Sequence, residues 1–230
     1  MDAERDRPER DRFYEAMPRE GHYVGRCEML LPDELAGKRV LDLGCRRGKG
    51  ACKIADLVGP EGSVTGIDPS ESFVEAARAY VAEHAARRAK VAGAIDPTFA
   101  CAPFEDLCKA GVEDASVDMV FVNSVLNLAW DRDAALREIA RVLAPGGILH
   151  HAAVFAEDPL PEGEARAFAA AGNAFGAAPS AAEFEAAARR AGFARCEFGE
   201  ASAVAPDGDD AAPAIAGRRF SAIIVRAHTG

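Results

Sequence analysis

The sequence predicts an α/β fold in which helices cover both faces of a mostly parallel sheet. Three observations lead there. An apolar run over residues 40–43 ends in a glycine turn, Gly44-Cys45-Arg46-Arg47-Gly48-Lys49-Gly50, and the spacing of Ile54, Leu57 and Val58 then predicts a helix. A second run, residues 63–68, places the carboxylate of Asp68 twenty-four residues after Gly44, the spacing at which a strand-end acid meets the hydroxyls of a nucleoside ribose. A third, residues 117–122, is nearly continuous in apolar residues, as a strand buried on both faces should be.

The other elements follow in order. Residues 1–20 alternate acidic and basic side chains with Phe13, Tyr14 and Met17 at helical spacing, which fits a short amphipathic helix, a mobile arm or a solvated tail. Gly21-His22-Tyr23-Val24-Gly25 is placed either to fold over a ligand or to pack Tyr23 on the domain. Gly59-Pro60-Glu61-Gly62 ends the first helix. Pro69 and Ser70 open the next, with Phe73, Val74, Ala77, Tyr80, Val81 and Ala85 on its apolar face, and residues 94–97 break it. A third strand covers 98–102, with Phe104-Glu105-Asp106-Leu107 at its end. Asp131 starts a helix that turns Leu136, Ile139 and Leu143 inward; Ala144-Pro145-Gly146-Gly147 stops it before a fifth strand over 148–154. Ser180-Ala181-Ala182-Glu183 reads as a capping box for a helix closed by Gly192. Residues 194–198 and 219–227 make two last strands, joined by a loop rich in Asp, Ala and Pro.

Composition narrows the partners. The chain has 230 residues and a net charge of -10, which disfavours nucleic acid and anionic membrane surfaces, since both are bound through clustered Lys and Arg. Its six cysteines form no C-x-x-C pair, so no metal site is expected. The charged N-terminus and the lack of an apolar run of roughly 20 residues predict neither leader nor membrane span, and hence a cytoplasmic protein with free thiols.

Two nucleotide motifs drop out. A Walker loop needs four residues before its Gly-Lys and then Ser or Thr, whereas here Gly50 follows Lys49. A dinucleotide fingerprint needs glycine where Arg46 stands. The remaining pattern, acid-x-Gly-x-Gly-x-Gly, resembles the cofactor turn of class I S-adenosylmethionine methyltransferases through Asp42, Gly44 and Gly48. Arg141-Val142-Leu143 followed by Pro145-Gly146-Gly147 and a strand resembles that family's segment after the fourth strand, and is the more specific of the two. The resemblance, over roughly residues 20–200, implies a Rossmann-like sheet of seven strands with an antiparallel last strand. Residues 1–36 would form an N-terminal arm or cap, and 37–230 the methyltransferase-like domain.

Within the family the chain is most similar to arsenite methyltransferases, through Asp56-Leu57-Val58-Gly59-Pro60-Glu61-Gly62, Phe104-Glu105-Asp106-Leu107 and Asn123-Ser124-Val125-Leu126-Asn127-Leu128. The resemblance implies S-adenosylmethionine as cofactor and S-adenosylhomocysteine as product. Asp42, Gly44, Cys45, Arg46 and Gly48 would lie along the methionine moiety, and Asp68, with Pro69 beside it, would bind the ribose. Phe104 and Glu105 would flank the adenine, and the Asn123 backbone would reach the amino-acid end. Arg46 is a departure: glycine permits a positive φ there, which costs another residue about 1–2 kcal/mol. Its guanidinium would pair with the cofactor carboxylate, oppose the sulfonium or face solvent.

The arsenic chemistry does not carry over. That family holds trivalent arsenic with several thiolates, as a soft ion demands. This chain has Ala51 at one such position, with Cys52 displaced by one, Ser124 at another and Ala174 near a third; Cys27 matches the N-terminal one. Acceptor-pocket candidates are His22, Tyr23, Asn127, Trp130 and His151, with His150 and His151 pointing to opposite faces of their strand. The function expected is methyl transfer to a small molecule other than arsenite. The alternative is a methyltransferase-fold protein that has lost catalysis and binds a ligand or partner.

Overall fold

The computed structural model describes residues 7–18, 20, 22–25, 29–88 and 92–230. The apolar runs become the middle of a sheet: β1 (Arg39–Leu43), β2 (Ser63–Asp68), β3 (Thr98–Cys101), β4 (Val117–Asn123) and β5 (Leu143–Ala156) pair in parallel in the order β3-β2-β1-β4-β5. Beyond β5 come β6 (Arg195–Phe198), β7 (Ser202–Val204) and β8 (Phe220–His228). β8 lies antiparallel against β5, and β6 and β7 share its far edge. The seven-strand path with a reversed last strand is as expected; β7 is an addition, cut from a stretch read as loop.

Period-two alternation assigns each strand side chain to a face. Val40, Val64, Met119 and Phe121 pack under α2 (Lys49–Val58) and α3 (Glu71–Arg88) through Ile54, Ala55, Val74 and Ala77. Leu41, Leu43, Ile67, Val120 and Val122 pack under α4 (Arg132–Val142) and α6 (Ala181–Ala191) through Leu136, Ile139, Phe184 and Ala188. The caps explain where these helices begin. The Asp131 carboxylate accepts the Ala134 N–H at 2.9 Å, and Ser180 and Glu183 form the reciprocal capping box. Leu57 and Ala85, expected on apolar faces, are exposed.

Two further elements depart from the sequence reading. Residues 144–147 do not simply stop a helix: β5 already pairs Leu143 with Val117, and the Pro-Gly-Gly segment bulges out before Ile148 rejoins Met119. α5 (Glu162–Ala170) was not anticipated. At the N-terminus α1 (Arg7–Ala16) is docked, with Phe13 and Tyr14 buried against the domain. No described helix is long and apolar enough to cross a membrane.

Candidate functional site

Strand order reverses between β1 and β4, and the crevice beyond the carboxyl ends of such neighbours is where open α/β sheets bind ligands. Two strained residues stand there. Arg46, after β1, has φ 48°, and Ser124, after β4, has φ 63°; non-glycine residues hold such angles only where the surroundings impose them. The turn itself requires its first glycine. Gly44 has φ 82°, and a Cβ there would sit 2.4 Å from Val125 Cγ2, so the turn packs against the β4 loop with no room for a side chain.

Below the turn lie two buried carboxylates. Asp68 accepts the Arg46 N–H on one oxygen and the Ser70 N–H on the other, both at 3.0 Å. Asp42 is pushed up to about 7, first by burial and then by the charge of Asp68. Burial and these same carboxylates hold the Cys45 thiol far above its ordinary range, so it is no thiolate ligand. The Arg46 guanidinium lies over the Phe73 ring, 4.8 Å from its centroid.

The crevice opens into a cleft walled by Arg46, Asp68, Pro69, Phe73, Phe104 and Val125, with Tyr14, Met17, Pro18 and His22 from the N-terminal arm on the outer side. Its empty space is about 610 Å³, open solvent at the mouth included. A polar network pins the arm. Tyr14 donates to Glu105 Oε1 at 2.8 Å and accepts the Trp130 N–H at 3.2 Å, and the Asp131 N–H reaches the same Glu105 oxygen at 3.1 Å. Burial raises both Tyr14 and Glu105.

Of the residues expected at the cofactor, Arg46, Asp68, Pro69 and Phe104 line this cleft, Gly44, Cys45 and Gly48 build the turn, and Asp42 lies below it on β1. Glu105 is turned away into the arm network. Asn123 ends β4 with its Oδ1 buried and without a hydrogen-bond partner among the described residues. Of the acceptor candidates only His22 lines the cleft. Tyr23 packs edge-on against Phe175 instead, at 5.1 Å. A 3₁₀ turn over Leu126–Leu128 carries Asn127 and Trp130 round to a separate hollow beside α4. There Asn127 donates to the Val154 carbonyl and Trp130 packs on Phe13 under the Arg166 guanidinium. His151 is fully buried under α6, stacked on Phe184 and lowered to about 3 by burial. His150 is buried on the other face, stacked on Phe121.

Sequence reasoning missed Asp210. It is fully buried, yet its Oδ1 lies 2.9 Å from His22 Nδ1 and its Oδ2 accepts the Tyr23 N–H at 2.6 Å. Asn173 holds the Asp210 carbonyl at 2.9 Å. The aspartate comes from the Asp- and Pro-rich loop before β8, 188 positions from its partner, and no local motif announces it.

A family model described as a methyltransferase domain matches residues 34–192. The arsenite methyltransferase of Aquipseudomonas alcaligenes is 36% identical over 171 residues, which is 74% of this chain and 48% of that protein. An O-methyltransferase of Aspergillus sclerotiorum is 37% identical over 135 residues, 57% of this chain and 46% of that one. The X-ray structure of an arsenic(III) S-adenosylmethionine methyltransferase from Chlamydomonas reinhardtii superposes with TM-score 0.77 at 34% identity, covering 88% of this chain and 68% of that chain. The chain spans less than half the length of these two curated relatives.

Proposed function

The chain belongs to the methyltransferase domain family, and on that premise we propose that it transfers a methyl group from S-adenosylmethionine to a small-molecule acceptor other than arsenite. The observation that carries the cofactor half is Asp68: a carboxylate at the end of β2, oriented by the turn's own amide and open to the cleft. That position at the end of β2 supports Asp68 as the residue that takes the ribose hydroxyls. Pro69 and Phe104 offer apolar surface to an adenine. When bound, the cofactor supplies an electrophilic methyl group on a sulfonium. Tyr14, Met17, Pro18 and His22, ahead of the sheet, serve as the cap that walls the cleft against water.

The names of relatives span arsenite and O-methyl transfer, so the acceptor is argued from the site. A soft trivalent ion needs several converging thiolates. Ala51 and Ala174 are buried alanines, Ser124 turns its hydroxyl to the Ala152 carbonyl, and Cys45 is held protonated. Among the described residues no three His, Cys, Asp or Glu side chains are grouped to hold a metal; Cys27 lies outside the described residues. A net charge of -10 supports a small-molecule acceptor over nucleic acid or a membrane surface.

Calorimetric titration with S-adenosylmethionine and S-adenosylhomocysteine tests the reading. Both are expected to bind, and Asp68→Ala to weaken them by about 1–3 kcal/mol. Wild-type protein that binds neither would overturn the cofactor half, and methylated arsenic from an arsenite assay would overturn the choice of acceptor.

A further inference from the structure

His22 has the Asp210 carboxylate behind it and lines the cleft. Where the Asp210 carboxylate accepts from Nδ1, a neutral ring has its lone pair on Nε2. That opposite edge lies beside Gly172. A Cβ on Gly172 would come within 3.2 Å of His22 Cδ2 and 3.6 Å of Nε2, and both residues line the cleft. The supporting loop is rigidly tied: Asn173 donates to the Asp210 carbonyl, and its own Oδ1 accepts the Phe175 and Gly176 N–H groups at 3.1 and 3.0 Å.

We propose that His22 is the general base of the methyl transfer, positioned by Asp210, and that the acceptor carries an aromatic or enolic hydroxyl on an otherwise apolar body. The proposal rests on the methyltransferase reading above. A base serves only an acceptor that must lose a proton to become nucleophilic. Proton transfer to an imidazole is less uphill from a phenol-like hydroxyl, with acidity near 10, than from an aliphatic alcohol. The apolar body is argued from the walls on the His22 side, since Met17, Val24, Val125 and Leu128 line the same cleft. In the step, the hydroxyl proton passes to Nε2 and the oxygen's pair forms a bond to the methyl carbon. The bond from that carbon to sulfur breaks, its electrons staying on sulfur as a neutral thioether, and the proton leaves His22 to water. Asp210 holds the tautomer and stabilises the imidazolium.

The chromogenic phenol para-nitrophenol, yellow only when ionised, reports proton transfer in the cofactor-free protein. Wild-type protein is expected to ionise it at a lower pH than free solution does, and His22→Gln to abolish that shift. Gly172→Ala, whose Cβ would press on the His22 ring from a strained positive φ, is expected to reduce it. Tyr14, Glu20, Arg46 and Asp68 face the same cleft, so each variant is compared with wild type across the whole pH range. With cofactor, methyl transfer to a nitrocatechol is expected to fall roughly 10²–10⁴-fold in His22→Gln, with S-adenosylhomocysteine affinity within twofold of wild type. Wild type that leaves the probe un-ionised, or His22→Gln that ionises it equally, overturns the proposal. Failure of S-adenosylhomocysteine to bind wild type overturns the methyltransferase reading instead, and the cofactor-free ionisation still decides the role of His22.

Discussion

In the cleft above β1 and β2 the acidic groups are held from behind by backbone or by a loop, whereas in the hollow beside α4 the charges are largely held by one another. Asp68 rests on the amides of Arg46 and Ser70, and Asp210 on Tyr23 and His22. In the hollow Asp133 pairs with Arg190 at 2.7 Å, Asp131 caps α4, and Arg166 covers Trp130 at 3.8 Å. The hollow has more charged side chains, yet they are spent on structure. Among the described residues, Arg10, Asn127 and Arg132 each keep a buried polar atom without a hydrogen-bond partner there, a cost of architecture. What distinguishes a site from a cluster is a polar group fixed on one side and open on the other.

The sharpest way to break the contrast is to fill the turn. Gly44→Ala combines a Cβ 2.4 Å from Val125 Cγ2 with a positive φ. Overpacking at about 1–3 kcal/mol and left-handed strain at about 1–2 kcal/mol predict a loss of roughly 2–5 kcal/mol, read by urea unfolding, together with lost cofactor binding. A near-neutral result would mean that the β4 loop yields and the turn is not preorganised.

Next in size is the carboxylate pair. The folded protein keeps the Asp42 proton up to about pH 7, while the unfolded chain releases it near 3.9. The contribution is therefore fully present below the unfolded value and is lost as pH rises through about 7, by at most about 4 kcal/mol. Asp42→Asn is expected to remove this slope, leaving the variant more stable than wild type at pH 8 relative to their difference at pH 5. Parallel stability curves for the two proteins would place Asp42 in contact with water.

These two residues mark how far the sequence can be read. Parallel central strands are written as apolar runs closed by turn residues, so β1, β2 and β4, with Asp42 and Asp68 on them, are legible one segment at a time. The other side of the cleft is assembled across distance. Nothing near His22 points to Asp210, because an isolated aspartate in a polar loop looks the same whether it faces water or a histidine. Asn127 and Trp130 mislead for the opposite reason. Their place just after β4 suggests the crevice, but one short 3₁₀ turn rotates them out of it. His151 shows the limit of period two, which gives the face of a strand but not its depth.

Arg46 sharpens the comparison most finely, because it joins a strained backbone to a side chain lying along the cleft wall. Arg46→Gly releases about 1–2 kcal/mol of left-handed strain. It gives up a cation–π contact with Phe73 worth roughly 0.5–1 kcal/mol, and it widens the unfolded ensemble by about 0.4–1 kcal/mol. These terms nearly cancel, so unfolding stability should change by less than about 1 kcal/mol. Arg46→Ala keeps the strain and loses the ring contact, and it should be the less stable of the two variants. If Arg46→Ala instead matches wild type while Arg46→Gly gains, the guanidinium contributes nothing and the backbone angle alone sets the cost. S-adenosylhomocysteine affinity, measured on the same pair, separates the parts again: a rise in both variants assigns the obstacle to the side chain, and a rise in Arg46→Gly alone assigns it to the turn.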